Sequence, residues 1–416
     1  MLSLSMVTIS AARSKEGVRP TAPRSAQETH TQPAALSRGQ WLAIAGNCET
    51  CHTSQGGKPF AGGLAFDTPF GKIYSTNITP DQQTGIGSWS REDFLKSLRH
   101  GERPNGEHLY PVFPYTAFTK ITDADAGALY DYLRGVKAVS YSPPANEMSF
   151  PFNQRWLLSA WKLMFFEPGA YEPDAKQSKE WNEGAYLVEG LAHCSACHSP
   201  RNFMGAEKKA HAMTGGVYTD KVPGGELKKW STPNLTSASS GLGPWSTEEV
   251  VSYLKTGQNS FLTTYGPMNE VILNSTRHLP ADDVQAMAVY LKSLPANEAD
   301  LEGPPDADEM KTARILYNVH CGTCHLPTGL GGEDIGARLA QGSPVVQAAD
   351  PAALINVILY GPELPTPRLP SKRSKTMEAF GDQLSDEDVA LIASFVRSSW
   401  KNKGGRVTEE QVAAQR

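Results

Sequence analysis

Apolar residues recur along this chain at helical spacing behind short polar caps, and the arrangement repeats. Ser90 and Ser246 each stand before acidic residues and an apolar periodic run that ends near Gly101 or Gly257, the pattern of an N-capped helix stopped by a glycine. Three further runs share one design: Thr122-Asp123-Ala124-Asp125 before Leu129 and Leu133, Pro280-Ala281-Asp282-Asp283 before Met287 and Leu291, and Ser385-Asp386-Glu387-Asp388 before Leu391 and Phe395. Their spacing predicts three capped helices, each turning one face inward. The expectation is an all-α chain of three small tandem units with loop-rich connections, each closing on such a helix.

A longer repeat supports that unit count. Ser75-Thr76-Asn77-Ile78-Thr79, followed by Gly85-Ile86-Gly87-Ser88-Trp89, returns as Thr232-Pro233-Asn234-Leu235-Thr236, followed by Gly241-Leu242-Gly243-Pro244-Trp245. The first two units are therefore copies of each other. The chain's 416 residues leave room for roughly two to four domains, and 39% hydrophobic residues suffice for real cores. With 39 basic and 44 acidic side chains the net charge is −5, which excludes an obvious nucleic-acid binder. No run approaches the ~20 apolar residues that span a bilayer, so any membrane contact is expected to be peripheral.

The chemistry lies in the six cysteines. They form three pairs of identical spacing, each followed by histidine: Cys48-Glu49-Thr50-Cys51-His52, Cys194-Ser195-Ala196-Cys197-His198 and Cys321-Gly322-Thr323-Cys324-His325. Two thiols so spaced can add to the two vinyl groups of one porphyrin, and the adjacent imidazole then falls under the iron as the proximal ligand. Structural zinc, a thioredoxin-like redox pair and disulfides are the competing readings, and none explains a histidine after every second cysteine. The motifs predict three covalently bound heme c groups held by Cys48, Cys51, Cys194, Cys197, Cys321 and Cys324, with His52, His198 and His325 on the irons.

A second axial ligand is most often a methionine from the loop before the last helix. Met268 in Gly266-Pro267-Met268 and Met377 in Thr376-Met377-Glu378 occupy that loop in the second and third units. A lone methionine is ordinarily core filler, but the matched loop position favours ligation. The first unit has Phe113 in the corresponding place. His108, His100, water or an open position then remain for its iron.

The predicted organisation is a leader over 1–35, units over 36–145, 181–298 and 299–400, a linker over 146–180 and a polar tail over 401–416. The linker contains the aromatic run Trp156 to Phe166, expected either to be buried or to dock a partner or a membrane interface. Residues 299–310 read as an acidic linker. Heme attached in this way implies export, yet Met1 to Ile9 lacks the basic and apolar regions of an export signal, so a truncated or mis-started N-terminus is expected.

These motifs, with Asn77-Ile78-Thr79-Pro80, Gly184-Ala185-Tyr186-Leu187-Val188, Pro200-Arg201-Asn202, Tyr253-Leu254-Lys255-Thr256-Gly257 and Val396-Arg397-Ser398-Ser399-Trp400, resemble the triheme cytochrome c subunits of periplasmic membrane-bound dehydrogenases over about residues 38–405. The resemblance implies three class I cytochrome c domains at the periplasmic face of the inner membrane. It also implies electron flow from a catalytic subunit of molybdenum, PQQ or FAD type to ubiquinone, and it carries the distal role onto Met268 and Met377. Two departures stand out. Phe113 resembles cytochromes paired with molybdenum hydroxylases, and Glu378 replaces a proline usual after the third methionine. With no dinucleotide loop or nucleophile elbow, the expected role is electron transfer rather than catalysis. The rival expectations are a heme enzyme with an open site at the first heme and a freestanding electron shuttle.

Overall fold

Each heme motif follows a helix whose partner arrives late in its unit. In the computed structural model, which describes residues 36–298, 301, 303–332, 335–365 and 376–416, helix Arg38–Ala45 packs on Asp123–Gly135, Lys179–Ala185 on Ala281–Ser293, and Ala307–His320 on Asp386–Ser398. The predicted leader over 1–35 lies outside the described residues. Side-chain caps form at Ser90, Thr122, Ser246 and Ser385, whereas Pro280 opens helix Ala281–Ser293 without one, because a proline side chain has no acceptor to offer. Ser90 and Ser385 make reciprocal capping boxes with Asp93 and Asp388, and Gly101 and Gly257 close their helices at φ of 59° and 72°.

Close helix crossing needs a residue without a side chain. A Cβ on Gly39 would overlap the Ala128 carbonyl oxygen, and one on Gly184 would overlap that of Ala286. Gly184→Ala is expected to push the helices apart at a cost on the order of 2–3 kcal/mol, the range for overpacking a close contact. Chemical denaturation checks it; an unchanged midpoint contradicts the packing argument. Cys194 lies ten positions after Gly184 where Cys48 lies nine after Gly39, and the backbone takes up the extra residue as a π-helix over Tyr186–Leu191.

The first two helix pairs share one apolar core that includes Leu42, Leu133, Leu187 and Leu291. Trp41 Nε1 donates to Asp283 at 2.8 Å, and the Tyr186 hydroxyl donates to Asp125 at 2.6 Å, so polar contacts also cross between them. The third pair has its own core around Tyr317, Ile355 and Phe395. Residues Ser37–Arg416 nevertheless form a single compact unit.

Four sequence expectations are corrected. The chain is not purely helical, because Ala65–Thr68, Gly71–Tyr74 and Glu147–Met148 form an antiparallel sheet and Gly216–Lys221 pairs with Leu227–Thr232. The acidic residues near 306 are not all linker: Asp306 caps helix Ala307–His320, with Glu309 completing the box. The polar tail over 401–416 is not a segment apart, for Val407 and Val412 enter the third core and Arg416 pairs with Asp386 at 2.7 Å. The aromatic run 156–166 divides instead of choosing one fate. Trp161 is buried and donates to the Met204 carbonyl at 3.0 Å, while Leu163 on the same helix, Leu157–Phe165, is 89% exposed. Among the described residues no helix is long and apolar enough to cross a membrane.

Candidate heme sites

The three histidines of the motifs are oriented by one device. His52 Nδ1 meets the Thr76 carbonyl at 2.6 Å, His198 Nδ1 that of Pro233 at 2.9 Å, and His325 Nδ1 that of Ala337 at 2.7 Å. A carbonyl oxygen only accepts, so Nδ1 carries the proton and the lone pair sits on Nε2. That is the arrangement of an imidazole prepared to ligate a metal and made more basic by a backbone acceptor. Burial holds His52 and His198 below the usual histidine range, which keeps them neutral.

The residue just before each repeated Asn-Ile/Leu-Thr run supplies one of the first two acceptors, a role with no signature along the chain. Asn77, 3% exposed, donates to the carbonyls of Val139 and Tyr141 at 2.7 and 3.1 Å and accepts from the Thr79 N–H at 2.9 Å. Asn234 repeats this with Asn297 at 2.8 Å and Thr236 at 2.8 Å. The asparagine thus pins the loop whose preceding residue holds the histidine, and the repeat itself was the available signal. Asn77→Ala is expected to cost about 2–3 kcal/mol through unpaired buried groups. By loosening the Thr76 contact it should also raise the potential of the first heme. Denaturation and redox titration of the variant read both, and an unmoved potential contradicts the link to His52.

Burial pushes the Cys48, Cys51 and Cys194 thiols up to about 12 and Cys321 up to about 11, so these thiols are protonated at neutral pH. The first pair and His52 line a cavity of about 800 Å³ whose walls include Ile86, Phe94, Leu98, Leu129 and Leu133. Two thiols, an oriented imidazole and an apolar enclosure of that size fit a covalently held heme. Among the described residues no three of His, Cys, Asp and Glu gather around one point, which separates the cysteine pairs from halves of a shared zinc site.

The distal loops can be set in register by their hydrogen bonds. The Leu109 N–H reaches the Gly101 carbonyl at 2.7 Å, and the Thr264 N–H reaches that of Gly257 at 2.6 Å. Four residues beyond these equivalent positions stand Phe113 and Met268. Phe113 lines the first cavity, whereas neither His108 nor His100 does. His108 Nδ1 instead meets Lys162 Nζ at 2.9 Å, and Lys162 also caps the preceding helix through the carbonyls of His100 and Gly101. Met268 opens helix Met268–Asn274 and packs on the shared core, while Met377 packs on the third core.

Residues 36–137 match the family described as cytochrome c, and residues 308–396 match the family described as cytochrome C oxidase, cbb3-type, subunit III. The gluconate 2-dehydrogenase cytochrome c subunit of Pantoea cypripedii is 38% identical over 92% of this chain and 90% of its own length. The chain belongs to the cytochrome c subunits of dehydrogenases. Another relative of this cytochrome subunit, the cytochrome c subunit of quinone alcohol dehydrogenase from Gluconobacter oxydans, is 38% identical over 89% of the chain and 79% of its own. A subunit of the nicotinate dehydrogenase of Pseudomonas putida is 43% identical over 88% of the chain, which spans only 30% of that longer protein. Covalently bound heme c and an electron-transfer role follow from this membership.

Proposed function

We propose that the chain is a triheme electron-transfer subunit which receives electrons from a periplasmic dehydrogenase catalytic subunit and delivers them to ubiquinone at the membrane. The observation that carries this reading is the threefold recurrence of a cysteine pair followed by a histidine whose Nδ1 faces a backbone carbonyl. In it, three cytochrome c domains, over 36–145, 181–298 and 299–400, each attach one heme through their two thiols. His52, His198 and His325 would hold the irons, joined by Met268 in the second domain and Met377 in the third. Bound heme supplies an iron that cycles between ferrous and ferric states.

The protein's own contribution is to hold those ligands, exclude water and set the gaps between centres. A molybdenum hydroxylase partner is favoured over PQQ or FAD types. Phe113 supports that choice, as does the 43% identity to a nicotinate dehydrogenase subunit. The face around Leu163 is the proposed peripheral contact with the membrane or the partner. Affinity purification from native membranes tests the assignment: a large dehydrogenase subunit containing molybdenum is expected to co-purify. A chain that comes down alone and stays soluble would sink it.

A further inference from the structure

His193 belongs to the second heme motif by sequence and to the first cavity by position. It directly precedes Cys194, yet its side chain lines the enclosure that contains Cys48, Cys51 and His52. Its backbone lies at φ 39°, in the left-handed region that residues other than glycine occupy uncommonly. Nδ1 meets the Leu191 carbonyl at 3.0 Å, and the ring packs edge-on against Phe118 with centroids 5.3 Å apart. Phe118 in turn meets Phe113, at 5.4 Å. Asn47 holds the corresponding place before Cys48 and shares the left-handed backbone, at φ 50°, but has no ring.

The two motifs also approach each other at this junction. The π-helical segment Tyr186–Leu191 packs on helices Arg38–Ala45 and Tyr115–Phe118.

We infer that His193 is the contact through which an electron passes between the first heme and the second. This rests on the triheme reading above. Electron tunnelling weakens steeply across empty space and is carried better by covalent bonds and packed atoms. The imidazole offers such a route, since it reaches into the first cavity and is joined through one peptide bond to Cys194, whose thioether would hold the second heme. One electron moves in each passage, one iron going from ferrous to ferric and the other from ferric to ferrous. The ring keeps its proton on Nδ1, so no proton changes place.

His193 is a positioning residue here, and its test needs a readout other than turnover. In the intact complex, His193→Asn keeps a residue that tolerates the left-handed backbone but is too short to fill the same space. Electron redistribution after partial photoreduction is expected to slow by about tenfold or more between the first two hemes, the loss typical of removing a group that supports a metal centre. The ferric EPR signals should stay as they are. His193→Phe, which restores a ring, is expected to keep most of the rate. An unchanged rate in His193→Asn, with heme content intact, overturns the inference. A changed EPR signal of the first heme also overturns it, because His193 would then be an axial ligand. Peptide masses of the unmutated chain separate the two levels of argument: no heme on the first or second motif defeats the triheme reading itself.

Discussion

Replacing Cys48 and Cys51 together by serine is expected to lower the heme content by one per chain and to destabilise far more than the first unit. Serine cannot form the thioethers, and the cavity of about 800 Å³ then loses its occupant while its apolar walls remain. The expected cost is on the order of 3–5 kcal/mol, the scale of losing a covalent or cofactor cross-link from a small domain. Because the first two helix pairs share one core, the loss should spread to the second pair. Cys321→Ser with Cys324→Ser should behave differently. The third core is separate, so the first two hemes are expected to stay in place with unaltered spectra. Intact mass and thermal unfolding of the two double variants measure the contrast, and equal disruption by both would contradict the division of cores.

The second large effect concerns the ligand opposite His52. The wild-type ferrous protein is expected to bind carbon monoxide at one heme, since the first cavity offers Phe113 where the second unit has Met268. Phe113→Met should close that position with a thioether and abolish the binding. It should also raise the potential of the first heme by on the order of 0.1 V, a modest part of the ~0.8 V range over which axial ligands act. Met268→Ala is expected to do the reverse at the second heme, opening it to carbon monoxide and lowering its potential. Redox titration with carbon monoxide difference spectra reads all three proteins. Unchanged ligand binding in Phe113→Met would show that the matched loop register does not place residue 113 over the iron.

The sequence-derived parts of this picture are those in which a residue's chemistry is local. Cysteine spacing, the histidine that follows, and caps such as Ser90 with Asp93 depend on neighbours within a few positions, so they can be read along the chain. The hairpin Gly216–Lys221 with Leu227–Thr232 is hard to read along the chain because Pro223, Gly224 and Gly225 at its turn make the segment resemble loop. The acidic run at Asp306 looked like linker, although the same composition opens a helix when an apolar periodic run follows. The carbonyls of Thr76, Pro233 and Ala337 were illegible for a different reason. Backbone oxygens carry no signature of their own, and only the asparagine that pins two of these loops shows in the sequence. His193 carries no signal along the chain because its partners come from another unit, a contact that no local spacing encodes.

The most direct test of the relay is to add the substrate of the co-purified dehydrogenase to the anaerobic complex and compare the reduced-heme absorbance with that produced by dithionite. An electron-transfer subunit predicts that substrate reduces the hemes of all three motifs, that added ubiquinone reoxidises them, and that the isolated chain responds to neither substrate nor peroxide. Hemes that dithionite reduces but substrate leaves oxidised, or turnover by the isolated chain, would contradict it.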